Sequence, residues 1–197
     1  MKYQIIVLLG ALGLFQLSGC ATLMDNDSDQ VPAQSANPAD LDHWKITGKL
    51  AVRNQQKAQS INFIWHQKNT DYSLTLNGPL GFGSASIDGN LQQATVRQGS
   101  LTYSGSPDQL ATELLGVPIS VDAMSWWLKG LASPNHAKAS NQVMQQGGLI
   151  SSLRQNGWQL QFLDYQASGK FMMPKKISGR RGELYFKLVI NQWDIPH

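Results

Sequence analysis

The chain has 197 residues, of which 42% are hydrophobic and 15% charged, and its formal net charge is +3 at pH 7. This length and apolar content fit one globular domain with a core of its own. No long cationic run and no basic stripe interleaved with aromatic residues occurs, so the composition argues against a nucleic-acid partner.

Residues 1–19 have the features of a bacterial lipoprotein signal peptide. Lys2 precedes an apolar stretch over residues 5–17 that is too short and wrongly flanked for a transmembrane helix. Leu17-Ser18-Gly19-Cys20 then has the order of a lipobox, which predicts that Cys20 becomes the acylated N-terminus. Because Cys20 is the sole cysteine, acylation leaves no thiol for a disulfide, a redox pair or a nucleophile.

Residues 20–40 are predicted to form the acylated N-terminus and a flexible tether. Aspartates, prolines and small polar residues dominate residues 24–40, and about 20 such residues reach roughly 25 Å. By similarity to bacterial lipoproteins, the absence of Asp after Cys20 implies sorting to the outer membrane, with the domain facing the periplasm. Once the signal is removed, 15 basic residues remain against 13 acidic ones, so the mature chain is close to neutral.

Residues 41–197 are predicted to form a single, mostly antiparallel β domain. Apolar and polar residues alternate in three successive segments that begin near Trp44, Ile61 and Tyr72, with turn signals at 54–57 and 69–71. Weaker strand patterns follow at 85–87, 94–97 and 101–103. The chain closes with strand patterns at 143–153, 158–162 and 184–190, and Asn156-Gly157 predicts a hairpin turn.

Two helices interrupt the strand pattern. Ser106-Pro107 predicts a helix capped by Ser106, and Gly116 predicts its end. A second helix is predicted from Ser120 or Val121, with an apolar stripe of Met124, Trp127, Leu128 and Leu131. The predicted fold class is therefore mainly β with a helical segment (α+β), in which a single curved antiparallel sheet covered by helices gives a cavity suited to acyl chains.

Two further segments combine apolar residues with turn-forming residues. Gly78-Pro79-Leu80-Gly81-Phe82-Gly83-Ser84 predicts a loop between the third and fourth strands. Its Leu80 and Phe82 have two interpretations: they pack onto the core, or they contact lipid or a partner. Phe171-Met172-Met173-Pro174 is predicted as a second apolar loop, followed by a basic cluster, Lys175-Lys176 and Arg180-Arg181, in a solvated turn.

The sequence contains no catalytic or metal-binding motif. The four histidines are scattered, and neither HExxH, paired cysteines, GxSxG nor SxxK occurs. No metal and no cofactor are therefore predicted. A serine, a histidine and an aspartate could still meet in space, so a lipid-processing hydrolase and a structural envelope lipoprotein stay open beside a binding protein.

The chain resembles the LolB family of outer-membrane lipoprotein receptors from Cys20 to Trp193. The resemblance rests on an ordered set of segments, of which none is diagnostic alone: residues 44–52 (WKITGKLAV), residues 63–67, Pro79-Leu80-Gly81, Val117-Pro118-Ile119 and residues 127–131 (WLKGL). It implies an incomplete antiparallel β-barrel with a helical lid around a hydrophobic cavity. Gly78 stands where the family pattern has Asn.

The resemblance also implies a function and a set of site residues. It implies a monomeric, non-enzymatic receptor that accepts acylated lipoproteins from a LolA-like periplasmic carrier and inserts them into outer-membrane lipid. Leu80 occupies the position of the leucine that the family needs for insertion, and Phe82 adds apolar bulk beside it. The expected acyl-chain contacts are inward-facing apolar residues: Trp44, Ile46, Leu50, Phe63, Trp65, Leu74, Trp127, Trp158 and Phe162.

Overall fold

Eleven antiparallel strands form one open, curved sheet in the part of the chain that the structure describes, residues 36–78 and 83–196. The structure is a computed structural model. The described residues belong to the unit Ser35–His197, and a second unit, Met1–Gln34, lies outside them. The predicted signal peptide, Cys20 and most of the predicted tether therefore fall outside the described residues.

Six strands precede the helices and five follow them. The first group is β1 (His43–Arg53), β2 (Ala58–Lys68), β3 (Asp71–Asn77), β4 (Ser84–Gly89), β5 (Ala94–Gln98) and β6 (Leu101–Gly105). Two helices follow, α1 (Pro107–Leu115) and α2 (Val121–Leu128). The second group is β7 (Ser140–Met144), β8 (Ile150–Gln155), β9 (Trp158–Ser168), β10 (Phe171–Arg181) and β11 (Leu184–Asp194). Short 3₁₀ turns occur at Pro38–Asp40 and Gln146–Gly148.

The strands lie in the order β6-β5-β4-β3-β2-β1-β11-β10-β9-β8-β7, so the first and last strands of the chain's β segment meet at the centre of the sheet. β6 and β7 are the two edges. In β1, Trp44, Ile46, Leu50 and Val52 are buried while Lys49 and Arg53 are exposed, as the alternation of the sequence predicts. The inward residues form one core with both helices.

The sheet has two ends that differ in their connections. At one, which we call the loop end, lie the turns after β1, β5, β8 and β10, and there β3 ends and β4 begins. Asn77 pairs with Ser84 there, and the Gly78 N–H donates to the Gly83 carbonyl at 3.0 Å. At the other, the opposite end, lie the turns after β2, β4 and β9 and the end of β11.

Both predicted helices are confirmed. Ser106 caps α1 through its hydroxyl, which accepts from the Gln109 N–H at 3.4 Å, and α1 ends at Gly116 with φ of 71°. α2 ends at Leu128, so Leu131, the last residue of the predicted stripe, lies beyond the helix. None of the helices in the described ranges is long and apolar enough to cross a membrane.

The prediction of an apolar loop over Phe171-Met172-Met173-Pro174 is wrong. These residues open β10, where Phe171 and Met173 are buried, and the basic pairs at 175–176 and 180–181 lie in the same strand instead of in a turn. Pro174 lacks a backbone donor, and a sheet tolerates it where the ladder is irregular. The register between β10 and β9 shifts directly after Pro174.

Candidate functional site

An apolar cavity lies between the concave face of the sheet and the two helices. Its volume is about 50 Å³ and every lining residue is hydrophobic. The sheet contributes Leu50, Phe63, Trp65, Leu74, Leu76 and Leu188, and the helical segment contributes Ala111, Leu115, Ile119, Val121, Met124 and Leu128. Such a site offers a ligand dispersion contacts and the exclusion of water, and no polar group that would fix its orientation.

The structure brings four of the nine predicted acyl contacts to this cavity: Leu50, Phe63, Trp65 and Leu74. The other five are buried in the same core but do not line the cavity: Trp44, Ile46, Trp127, Trp158 and Phe162. Sequence reasoning missed Leu76, although it shares a face of β3 with Leu74. From the helical stripe it named Trp127 as a contact, whereas Leu115, Met124 and Leu128 line the cavity.

A cluster of aromatic rings continues the cavity wall beyond Trp65. Ring centroids lie 5.8 Å apart for Trp44 and Trp65, 5.4 Å for Trp44 and Trp193, and 5.9 Å for Trp65 and Tyr72. The Trp65 indole N–H donates to Gln67 Oε1 at 2.8 Å, which holds the ring in place. This side of the cavity is therefore fixed by packing before any ligand arrives.

α2 is held to the sheet by a buried polar network around Gln155. The Trp127 indole N–H and the Ser133 N–H both donate to Gln155 Oε1 at 2.9 Å. Gln155 Nε2 donates in turn to the Ser133 and Ala137 carbonyls at 2.7 and 2.9 Å. Trp127 is fully buried and stacks on Phe186 with centroids 6.5 Å apart. Every amide atom of Gln155 is paired, so this attachment is rigid.

The C-terminal end of α1 is attached more lightly, at the loop end. Asn54 Nδ2 donates to the Gly116 carbonyl at 3.1 Å, and Gln59 Nε2 donates to the Leu115 carbonyl at 3.3 Å. Both bonds are only partly buried, and α1 carries no aromatic side chain. The two helices that cover the cavity, α1 and α2, therefore differ in how firmly they are attached to the sheet.

The end of α2 is tied to the start of the sheet through Lys129, which is buried. Its Nζ donates to the Leu41 carbonyl at 3.2 Å and lies 4.0 Å from the centroid of the Trp126 ring. Burial lowers the pKa of Lys129 from its usual value, and the carboxylates of Asp42 and Asp40 oppose that shift. Lys129 adds a second attachment for α2.

A serine, a histidine and an aspartate do meet in space, next to the start of α2. His136 Nε2 lies 3.2 Å from Ser120 Oγ, and His136 Nδ1 lies 3.2 Å from Asp122 Oδ2. An acyl transfer site would also need backbone donors for an oxyanion. The N–H of Val121, which follows the serine, instead donates to Asp108 Oδ1 at 2.9 Å, so a carboxylate occupies that position. The cluster thus fastens a loop to α2 and lacks the parts of a hydrolase.

No set of metal ligands is present within residues 36–78 and 83–196, since no three His, Cys, Asp or Glu side chains come together there. Three predicted site residues, Cys20, Leu80 and Phe82, lie outside the described residues. What the structure describes of the β3–β4 connection is its base, where β3 and β4 stay paired up to Asn77 and Ser84.

Comparison with known proteins identifies the family. The family model for the outer membrane lipoprotein LolB matches residues 42–193. The outer-membrane lipoprotein LolB of Pseudomonas fluorescens is 32% identical over 187 residues, which cover 90% of either chain. That of Stutzerimonas stutzeri is 30% identical over 187 residues, covering 90% of this chain and 89% of the relative. The Francisella tularensis protein of the same name is 29% identical over 98% of this chain and 96% of its own.

Two solved structures have a fold similar to that of this chain. A LolA superfamily protein from Nitrosomonas europaea superimposes with a TM-score of 0.50 at 8% identity, covering 80% of this chain and 88% of its own. A DUF1329 family protein from Desulfovibrio piger gives a TM-score of 0.53 at 9% identity, covering 80% and 87%. The open sheet with its helices is therefore a fold that these two proteins share, and the chain belongs to the LolB family of outer-membrane lipoproteins.

Proposed function

We propose that this protein is an outer-membrane receptor that accepts acylated lipoproteins from a LolA-like periplasmic carrier and inserts them into the membrane. The observation that carries the proposal is the cavity between sheet and helices, whose lining is hydrophobic throughout. Membership of the LolB family supports a receptor role in lipoprotein sorting and not an enzymatic one. Cys20 is the proposed site of the protein's own lipid anchor.

The energetics of the cargo explain why such a cavity is needed. Three acyl chains contain some 45 methylenes, and exposing them to water costs on the order of 35 kcal/mol at about 0.8 kcal/mol each. Transfer through free solution is therefore excluded. A receptor that takes the chains directly from the carrier's apolar site avoids this cost, and each step then needs only slightly tighter binding than the previous one.

The cavity has to expand before it can hold an acyl chain. Its volume of about 50 Å³ is smaller than the ~150 Å³ of an engineered cavity that binds benzene. Of the two helices, α1 is attached at its end through two partly buried hydrogen bonds, whereas α2 is fixed by Trp127 and Gln155. We therefore assign the opening motion to α1, with α2 staying on the sheet.

Delivery is assigned to the loop end of the sheet. β3 ends and β4 begins at this end, and the connection between them contains Leu80 and Phe82; the hydrogen bonds that hold the end of α1 lie at the same end. In this proposal Leu80, with Phe82 beside it, enters the lipid while α1 opens at the same end. The acyl chains then leave the cavity where the membrane is.

A binding measurement tests the proposal directly. The mature chain with Cys20→Ala, which carries no acyl chains of its own, is titrated with a fluorescent triacylated peptide. We expect saturable binding with one peptide per chain, and competition by an unlabelled acylated lipoprotein. A chain that binds no acylated peptide would instead be a structural envelope lipoprotein, and the receptor proposal would be wrong.

A further inference from the structure

Two arginines share one aromatic ring on the convex face of the sheet. In the central strands, Tyr185 of β11 pairs with Arg53 of β1 on one side and with Arg180 of β10 on the other. The guanidinium carbons of Arg53 and Arg180 lie 5.5 and 5.8 Å from the centroid of the Tyr185 ring. The register of three strands thus holds two positive charges against a single tyrosine.

No carboxylate among the described residues forms an ion pair with either arginine. The ion pairs among the described residues are Arg97–Asp88, Lys175–Asp164 and His136–Asp122, and none of them includes Arg53 or Arg180. Both arginines are exposed. Two guanidinium groups that share one ring without a counter-ion repel each other, and an anion bound near them would reduce that repulsion.

A cleft adjoins Arg53 and Tyr185 and gives an anion room to bind. It has a volume of about 370 Å³ and is lined by Arg53 and Tyr185 together with small and polar side chains from β1 and β2: Ala51, Val52, Ala58, Gln59 and Ser60. Arginine presents a planar fork of donors that matches phosphate oxygens in a bidentate geometry. The chemistry of the cleft is therefore suited to a phosphate group.

The position of the cleft indicates which phosphate it meets. Arg53, Arg180 and Arg181 end their strands at the loop end, and Lys57 lies in the β1–β2 turn there. Leu101, the first residue of edge strand β6, is 64% exposed at the same end. Exposed cations and an exposed apolar residue at one end of a domain are features of a surface that rests on an anionic bilayer.

The opposite end differs in its balance of charge. Its turns and strand ends hold Lys45, Lys68 and Lys170 against Asp42, Asp71, Asp108 and Asp194, whereas at the loop end Glu183 stands against Arg53, Lys57, Arg180 and Arg181. An anionic membrane would therefore attract the loop end in preference to the opposite end.

We propose that the cleft lined by Arg53 and Tyr185, together with Arg180 on the other side of Tyr185, binds the phosphate of anionic lipid headgroups and seats the domain with its loop end on the membrane. The role of this headgroup contact in lipoprotein delivery rests on the proposed function, because the contact would hold the β3–β4 connection against the lipid. The headgroup contact itself requires neither cargo nor carrier, so it is measured without them.

The test is vesicle binding by the mature chain with Cys20→Ala, which removes the acyl anchor and keeps every other residue. Vesicles of phosphatidylcholine with 0 to 40 mol% phosphatidylglycerol are sedimented with the protein at low salt. At about 1 kcal/mol per cation near an anionic surface, Arg53→Ala with Arg180→Ala should weaken binding roughly 25-fold. The matched control, Lys68→Ala with Lys170→Ala, removes two charges from the opposite end and should change binding less than twofold.

Two outcomes would overturn the inference. Equal losses in the test and control variants would show that net charge alone drives adsorption. Unchanged vesicle binding by the Arg53 and Arg180 variant, together with a loss of carrier docking, would show that the cleft faces an acidic protein. Failure of lipoprotein transfer with vesicle binding intact would count against the proposed function and leave the headgroup site standing.

Discussion

Asn54 donates from its side-chain amide to the carbonyl of Gly116, and this 3.1 Å hydrogen bond fastens the end of α1 to the first hairpin of the sheet. The Asn54 Oδ1 atom accepts from the N–H groups of Gln56 and Lys57, both at 2.9 Å, so the same side chain also shapes the hairpin turn. Asn54 thus links α1, one of the two helices that cover the cavity, to the loop end of the sheet.

Asn54→Asp separates these two roles. The aspartate keeps the oxygen that the turn requires, but it loses the donor and faces the Gly116 carbonyl with a charge. Since one such bond contributes about 1 kcal/mol, we expect a fluorescent fatty acid to enter the cavity roughly fivefold faster, as followed by stopped-flow fluorescence. Gln55→Glu is the control, because it introduces the same charge at an exposed neighbouring position. Uptake at the native rate would refute the role of α1 as the moving helix.

Ala111→Phe fills the cavity from α1. Ala111 is buried and lines a space of about 50 Å³, so a phenyl ring occupies the volume that an acyl chain needs. We expect the affinity for a triacylated peptide to fall at least tenfold in a fluorescence titration. Glu113→Phe places the same side chain on the exposed part of the same helix and should bind normally. Normal binding by both variants would mean that acyl chains bind elsewhere.

Gln155→Ala tests the attachment of α2. The substitution leaves the Trp127 indole N–H and the backbone groups of Ser133 and Ala137 without their partner in a buried site. The free energy of unfolding should fall by about 3 kcal/mol in urea denaturation. Gln161→Ala, on the exposed face of β9, should change it by less than about 0.5 kcal/mol. Similar losses of unfolding free energy in both variants would show that Gln155 does not hold α2 to the sheet.

Tyr72 gives the fold a dependence on alkaline pH. Burial, with the carboxylates of Asp108 and Asp88 as smaller causes, raises the pKa of Tyr72 from 10 to about 12. Between these values the unfolded chain releases a proton that the folded chain retains, so the stability falls as the pH rises. In urea denaturation at pH 9 to 12, the free energy of unfolding of Tyr72→Phe should fall less steeply with pH than that of the wild-type protein. An equal fall would show that Tyr72 titrates normally in the folded protein.

The strands and helices could largely be predicted from the sequence because their signals are local. Alternation marks β1 to β3, and Ser106 and Gly116 mark the limits of α1. The segment at 171–174 was misassigned because its proline and apolar residues suit a loop equally well. Only the neighbouring strands β9 and β11 show that this segment completes a sheet.

The candidate site was less accessible to sequence reasoning, since it depends on contacts between distant segments. Alternation identifies Trp158 and Leu50 alike as inward-facing, but only the position of α1 and α2 places Leu50 at the cavity and Trp158 away from it. The cluster of Arg53, Tyr185 and Arg180 depends on the register of three strands from both ends of the chain. No local pattern in the sequence indicates that register.

The transfer of a radiolabelled lipoprotein from its soluble carrier to membranes tests the central claim most directly. The wild-type protein should accept the lipoprotein and deliver it, while Leu80→Glu should accept it and deliver it poorly, because the cavity is kept and the apolar side chain at the membrane is lost. Normal delivery by Leu80→Glu would favour the other interpretation of Leu80, in which its side chain packs onto the core. No acceptance even by the wild-type protein would contradict the receptor function itself.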